Sequence, residues 1–396
     1  VSSNSNRTFT LDPYDNLTSG KTYKTRVTTG VKDTAGNTLS SQYTTATGFA
    51  TFISFTAHTI STSADGARDV YAIDLDSDGD IDALSASEND DKIAWYENNG
   101  SESFTDHTIT TFSDGTNPQS VYAVDIDSDG DIDVLSGSEG TVAVAWYENN
   151  GSQSFTAHTI ATSSTANHTR SVHAADVDGD GDMDVLSASH GGGVNWYENN
   201  GSESFTARTI TTAGDQTRDV YAIDLDSDGD IDVISASWND NKVSWSENNG
   251  SESFTTHTIT SSALGVYNIY VADVDSDGDL DVLSSSGTDG KTVWYENNGS
   301  ESFTGHTIDT NGAWSTYVVD LDSDGDMDVA SVSGGDPIYW YENNGSQSFT
   351  SNTIISNAGV TRSVHSIDVD GDGDMDVLSA SENNDKIAWY ENSLIH

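Results

Sequence analysis

The residues of this chain best suited to chemistry are seven copies of a nonapeptide in which aspartate alternates with other residues. The first reads Asp74-Leu75-Asp76-Ser77-Asp78-Gly79-Asp80-Ile81-Asp82, and every copy keeps Asp at positions one, three, five, seven and nine and Gly at position six. The candidate metal ligands are Asp74, Asp76, Asp78, Asp80 and Asp82; Asp125, Asp127, Asp129, Asp131 and Asp133; Asp176, Asp178, Asp180, Asp182 and Asp184; Asp224, Asp226, Asp228, Asp230 and Asp232. The last three copies add Asp273, Asp275, Asp277, Asp279 and Asp281; Asp320, Asp322, Asp324, Asp326 and Asp328; Asp368, Asp370, Asp372, Asp374 and Asp376. Alternating carboxylates converge on one hard cation when a glycine lets the backbone turn sharply, as at the sixth position of an EF-hand loop. An EF-hand also needs Glu at the twelfth position, where this chain has Ser85. The loop is therefore not an EF-hand, and its ninth Asp must close the site. Oxygen-only donors point to Ca²⁺ or Mg²⁺, and many flexible carboxylates favour Ca²⁺, so the expected cofactor is about seven Ca²⁺ ions, one per copy. Without metal, five carboxylates crowd one turn at about 1 kcal/mol per close pair in water, which makes metal binding part of folding. One copy alone leaves room for a solvated acidic turn as the lesser reading; seven aligned copies do not.

Two further markers keep step with these loops. A Ser-Phe-Thr segment places Phe55, Phe104, Phe155, Phe205, Phe254, Phe303 and Phe349 at intervals of 46 to 51 residues. Trp95, Trp146, Trp196, Trp245, Trp294, Trp340 and Trp389 follow the acidic loops, usually within Trp-Tyr-Glu-Asn-Asn. Each unit reads as four short strands with no helical period, in the first unit Ser54 to Ile60, Asp69 to Ile73, Ala83 to Ala86 and Lys92 to Glu97. Asn-Gly follows the Trp strand in six units, first as Asn99-Gly100, and predicts a tight type I′ hairpin into the next Phe strand. Four strands in a period of about 50 residues is the pattern of propeller blades. The first Phe strand precedes every acidic loop, while the last Trp strand, ending near Asn392, has no Phe strand after it. Pairing the two completes the ring and removes its open edges. The expected fold is all-β: a seven-bladed propeller of four-stranded blades over residues 52–396, closed by the N-terminal strand, preceded by a small β segment over residues 1–51.

These motifs resemble the FG-GAP or VCBS-type repeat family, related to the propeller of integrin α-subunits, whose blades carry Asp-x-Asp-x-Asp-Gly-x-x-Asp calcium loops between their first two strands. The resemblance covers residues 54 to 392. It implies side-chain ligands at positions one, three, five and nine, here Asp74, Asp76, Asp78 and Asp82, with a carbonyl from position seven. Asp at the seventh position is an extra charge beyond the family pattern, and the missing Phe-Gly and Gly-Ala-Pro signatures place the chain nearer the bacterial VCBS branch. Leu17-Thr18-Ser19-Gly20-Lys21-Thr22-Tyr23 and Gly30-Val31-Lys32-Asp33-Thr34-Ala35-Gly36-Asn37-Thr38-Leu39 resemble the second half of a bacterial Ig-like domain of S-layer and surface proteins. Strands are expected around Thr8 to Leu11, Thr22 to Val31 and Tyr43 to Thr51. Half a sandwich exposes an edge and an apolar face, and so calls for a partner.

Composition limits the function. With 14 Lys plus Arg against 65 Asp plus Glu, a formal charge of −51 excludes nucleic acid and anionic membrane surfaces as partners. Seven divalent ions add fourteen positive charges and leave −37, which suits an exterior rich in divalent ions or salt. No run of about 18 apolar residues offers a membrane helix, so no membrane insertion is expected. Val1 to Thr10 lack signal-peptide regions, and the chain reads as a mature or excised product whose export signal lies outside it. There is no Cys, hence no disulfide or thiolate site.

Other recurrent residues have plain structural readings. His58, His107, His158, His257 and His306 lie on the Phe strand, replaced by Arg208 and Asn352 in two units, and read as strand-surface residues. The repeated Trp reads as packing between blades rather than a sugar platform. Arg68, Arg170, Arg218 and Arg362 precede the first strands of four blades and are a candidate anion-binding ring at the channel mouth. Variable loops opposite the acidic turns, such as Ser61 to Ala67, Thr110 to Pro118 and Ser189 to Gly193, are where binding should sit. No unique acid, base and stabiliser stand out, so the chain reads as non-enzymatic. The expected function is an extracellular, calcium-stabilised structural or adhesive protein of a cell surface, matrix or filament, partnered by itself through the N-terminal β segment or by surface glycans. A carbohydrate-binding propeller is the alternative, and a polysaccharide lyase a third reading that fold alone does not carry.

Overall fold

The computed structural model describes residues 52–395 apart from 114, 192 and 336, together with six short strand pieces before residue 52. The pieces pair as Ser2–Asn4 with Thr8–Thr10, Thr22–Tyr23 with Phe49–Ala50, and Arg26–Val27 with Tyr43–Thr44. The remainder of the three strands expected before residue 52 lies outside the described residues.

Short β-branched and aromatic runs separated by polar turns give seven four-stranded antiparallel sheets. In the first blade, Ala67–Ile73, Asp82–Ser87, Lys92–Asn98 and Phe104–Thr111 follow one another from the axis outward. The last blade comprises Thr361–Ile367, Asp376–Ser381, Lys386–Ile395 and, from the other end of the chain, Phe52–Ser61. Its closing pair sets Trp389 opposite His58 and Asn392 opposite Phe55, matching Trp95 opposite His107 and Asn98 opposite Phe104 in the first blade. Closure therefore reproduces the register of an ordinary blade. The Asn-Gly turns are longer than the expected two-residue hairpin: Asn98 pairs with Phe104, and Gly100 and Glu102 take the positive φ values. The reason is local, since the Asn99 side chain accepts the Ser101 N–H at 3.0 Å and wraps the turn as an Asx loop.

Successive residues of a strand point to opposite faces, and the Trp-Tyr pair uses this to join blades. Trp95 packs toward the second blade with Val121, Val134 and Tyr147, while Tyr96 faces the seventh blade and Trp389. All seven repeated tryptophans are buried, none more than 6% exposed. The second strands are buried along their whole length, as in Asp82–Ser87, and their small Ala and Ser residues let the sheets approach. Five buried tyrosines, Tyr96, Tyr147, Tyr197, Tyr295 and Tyr390, meet a serine hydroxyl across the blade, Tyr96 reaching Ser85 at 2.9 Å.

At the axis the blades are tied by hydrogen bonds from each first strand to the next. Asp69 accepts the Val121 N–H at 3.0 Å, Asp219 accepts the Ile269 N–H at 2.9 Å, and Asn268 accepts the Thr316 N–H at 2.9 Å. Ser120 and Ser315 make longer versions to Val172 and Val364, and the Ser363 hydroxyl donates to Asp69 at 2.7 Å across the ring seam. Two residues further along, Tyr71, Tyr122, His173, Tyr221, Tyr270 and Tyr317, completed by His365, form an unbroken aromatic ring with neighbouring centroids 4.7 to 5.8 Å apart. Burial pushes Tyr221 up to about 12 and both histidines down to about 4, so this layer is uncharged at neutral pH.

Removing one of the axial acceptors leaves a buried N–H without a partner. Asp219→Ala is expected to lower unfolding free energy by about 1–3 kcal/mol in denaturant titration, while Asp219→Asn, which keeps one acceptor oxygen, costs less.

Candidate metal centres

Each acidic loop joins the end of a first strand to the start of the second, so all seven lie on one face of the ring. Within a loop, backbone amides order the carboxylates before any ion is considered. Asp74 accepts the N–H groups of Asp78 at 3.1 Å and Gly79 at 3.0 Å, and Asp78 accepts that of Asp80 at 3.0 Å. Gly79 sits at φ 98° with open space where a Cβ would be, so conformation and not crowding requires glycine there. Position four is likewise left-handed: Ser77 has φ 61°, and the third and seventh blades place Gly179 and Gly371 there.

The ninth Asp is the brace of the loop. Asp82 accepts the Leu75 N–H at 3.0 Å with one oxygen and the Asn98 N–H at 2.8 Å with the other, linking the loop to the third strand. The same pair of bonds recurs in every blade, ending with Val369 and Asn392 on Asp376. The Asn side chain carries the link onward: Asn248 donates to the Val177 carbonyl of the preceding blade at 3.0 Å, and Asn392 to that of Leu321 at 2.7 Å.

Carboxylate oxygens of positions one, three and nine converge. Those of Asp74, Asp76 and Asp82 lie within 4.8 Å of one another, as do those of Asp125, Asp127 and Asp133, of Asp176, Asp178 and Asp184, and of four further groups. Position five lies on the same loop with its Oδ1 on the next amide but one. Position seven goes elsewhere: the Asp80 carboxylate lies against Gly100 in the Asn-Gly turn, and Asp131, Asp182, Asp230, Asp279 and Asp326 repeat the contact with their own turn glycines. A cation fits the converging trio on two observations. Asp125 Oδ1, Asp275 Oδ1 and Asp322 Oδ2 are buried with no hydrogen-bond partner, although such oxygens are normally satisfied. Burial, partly offset by the two amides, also holds the ninth carboxyls high, at about 7 for Asp82, about 6 for Asp184 and about 8 for Asp376. Asp322 reaches about 8 through burial and then the charges of Asp328, Asp324 and Asp320. Hard oxygen donors at this spacing suit a hard divalent ion.

The FG-GAP-like repeat matches residues 74–136, 125–187, 176–235, 224–284, 277–331 and 320–379, each span running from one acidic loop to the next. The chain belongs to the FG-GAP-like repeat family. A bacterial Ig-like domain matches residues 1–57. No curated protein matches the chain. Among solved structures, this FG-GAP propeller is similar to an Agrocybe aegerita lectin studied for specific recognition of non-reducing terminal N-acetylglucosamine, with 20% identity, TM-score 0.53, and coverage of 72% of this chain and 80% of that one. It is also similar to BBS1N in complex with ARL6DN, in a crystal soaked with lead, with 9% identity, TM-score 0.60, and coverage of 86% and 96%. At these identities the likeness is one of fold.

The remaining recurrent residues of the FG-GAP blades have definite places. Each outer-strand histidine covers the Trp of the neighbouring strand and pairs with the Glu after it: His107 stacks on Trp95 at 4.5 Å and meets Glu97 at 2.8 Å. Arg208 does the same over Trp196, with Glu198 at 2.6 Å. Arg68, Arg170, Arg218 and Arg362 are brought together on the opposite face, around a cavity of about 180 Å³ at the axial mouth. Sequence reasoning missed the aromatic ring and the axial hydrogen bonds. The ring's signal was present, because Tyr or His stands three residues before the first Asp of every loop.

The raised carboxyls fix a pH dependence. Folded metal-free protein binds protons at about 6 to 8 that the unfolded chain releases near 4 (about 3.9 for Asp), so the folded state binds more protons and stability falls as pH rises through that window. A divalent ion needs deprotonated ligands and reverses the trend. Thermal unfolding in chelator is expected to give a melting temperature that drops from about pH 5 to about pH 8; a rise over that window contradicts the loop electrostatics.

Proposed function

We propose that this chain is an extracellular, calcium-stabilised structural or adhesive component of a cell surface, matrix or filament. The observation that carries the reading is the sevenfold recurrence of converging carboxylates at the loops that brace one blade to the next. An ion there neutralises charge where the chain is most crowded and locks each loop onto its own third strand. Ca²⁺ accommodates such clusters at low geometric cost, whereas Mg²⁺ demands a near-octahedral shell and keeps its waters. The side chains of positions one, three, five and nine hold the ion in this reading, and the carboxylate of position seven stays on the Asn-Gly turn.

Localisation and class follow the same line. FG-GAP-like repeats and bacterial Ig-like domains are typical of secreted and surface proteins, and FG-GAP propellers are typically non-enzymatic. No helix among the described residues is long and apolar enough to cross a membrane. The Ig-like match over residues 1–57 overlaps the strand Phe52–Ser61 that closes the ring. In this reading the segment before the propeller pairs with a second copy, head to tail.

A second reading, binding of carbohydrate, is favoured by one observation. In a molecule of near-identical blades, the side chains that differ gather at the axial mouth. The Agrocybe aegerita lectin of similar fold binds non-reducing terminal N-acetylglucosamine.

Calorimetric titration of metal-free protein is expected to give about seven Ca²⁺ sites and a large rise in melting temperature. Asp82→Asn removes one site, while Asp80→Asn retains all of them. Electron microscopy with and without chelator tests assembly; a chain that stays monomeric at high concentration in millimolar calcium ends the filament version.

A further inference from the structure

The axial mouth opposite the acidic loops is built asymmetrically. Of the five arginines between residues 52 and 395, four stand on its rim. The two tryptophans outside the repeated position, Trp238 and Trp314, stand there as well, joined through Tyr267. Tyr267 and Trp314 stack at 5.5 Å with planes 24° apart, and Trp238 meets Tyr267 edge-on at 4.8 Å. Guanidinium groups bracket this aromatic wall. Arg362 lies 3.7 Å from the Trp314 ring centre, and Arg218 lies 4.9 Å from Tyr267 and 5.2 Å from Trp238.

In three blades the residue just past the second strand is a glutamate that answers a rim arginine. Glu88 pairs with Arg68, Glu382 with Arg362 and Arg68, and Glu139 with Arg170 from the adjoining blade. Where the rim residue is Tyr267 or Trp314, that position is Gly287 or Gly334. A Cβ on Gly334 comes 2.5 Å from the Trp314 ring, and one on Gly287 lies 3.1 Å from Trp314 Nε1 and 3.2 Å from Tyr267. The glycines thus make room for the stacked Tyr267 and Trp314 rings, with Arg218 and Arg362 against them. Arg218 is the exception: among the described residues it has no ion-pair partner, and its Nε is buried without a hydrogen bond. Asp69 and Asp219 on the floor are engaged with the amides of neighbouring blades.

We propose that the axial mouth binds one carboxylate-bearing sugar unit, its ring against the part-exposed edges of Tyr267 and Trp314 and its carboxylate on Arg218. The proposal rests on the carbohydrate-binding reading and makes it specific. A planar guanidinium fork matches a carboxylate in two parallel hydrogen bonds. Glu88, Glu139 and Glu382 pair with Arg68, Arg170 and Arg362, which leaves Arg218 as the rim guanidinium without a carboxylate partner among the described residues. The cavity of about 180 Å³ is below the roughly 300 Å³ of drug-sized pockets, so it takes a single sugar unit, at the end of a glycan, rather than a run of chain.

The test is calorimetric titration of the calcium-loaded chain with glucuronic acid, glucose, N-acetylglucosamine and acetate. One glucuronic acid is expected per chain, bound about tenfold or more tighter than glucose or acetate, and Arg218→Gln is expected to weaken it by about tenfold or more. Trp314→Ala should weaken it as well, while Arg208→Gln on the outer strand leaves it unchanged. Arg218→Lys keeps the charge, loses the fork, and gives the same direction of change should the Gln variant not fold. Equal binding of glucose and glucuronic acid overturns the acidic specificity and leaves the carbohydrate reading standing. Acetate as tight as glucuronic acid makes the mouth a bare anion site and overturns the proposal. No binding of glucuronic acid overturns the proposal, no binding of N-acetylglucosamine in the same titration sinks the carbohydrate reading with it, and full binding in a folded Arg218→Gln variant places the site elsewhere.

Discussion

Everything in this molecule is arranged around carboxylates that cannot all stay charged together unaided. The ninth Asp of each loop shows the conflict most clearly. It is buried, it accepts two backbone N–H groups that favour its charged form, and its proton affinity is nevertheless raised. Desolvation outweighs the hydrogen bonds. The same residue ties the loop to the third strand, and the adjacent Asn side chain reaches the preceding blade. Charge balance in the loops and contact between blades are thus one structural problem, repeated seven times.

The fold was legible because repetition multiplies weak signals. A single Ser-Phe-Thr, acidic nonapeptide and Trp says little, but seven in fixed order, with a Phe strand at one end and an unpartnered Trp strand at the other, define both blade and closure. Alternation around a glycine pointed to all five carboxylates of a loop, of which those of positions one, three and nine converge. The turn after the Trp strand was misread, since side-chain wrapping by Asn99 sets a longer loop than Asn-Gly alone suggests. The seventh Asp could not be placed from sequence, because its neighbour Gly100 belongs to a turn nearly twenty residues away. The axial hydrogen-bonded layer was hidden for a similar reason: Asp69, Ser120 and Asn268 look like unrelated polar residues until the ring sets them at one level.

The two faces divide the work between sameness and difference. On the loop face, every blade presents the same backbone turn and the same acidic residues. On the other, the rim residue varies from Arg to Gln to aromatic, and the residue past the second strand varies too, among Glu, His190, Trp238 and Gly. Core tryptophans and their histidine or arginine covers carry the packing, so the rim is free to vary without cost to the ring.

Ring closure has a mechanical side. Phe52 pairs with Ile395, and Ser61 with Ile387, at the far end of the same two strands. The two strands therefore leave the sheet side by side, and tension pulling Phe52 away from Ile395 opens the ladder one rung at a time instead of shearing all rungs at once. A subunit loaded along that line yields like a zipper, whereas load entering through the outer edges of other blades is spread over the whole wheel.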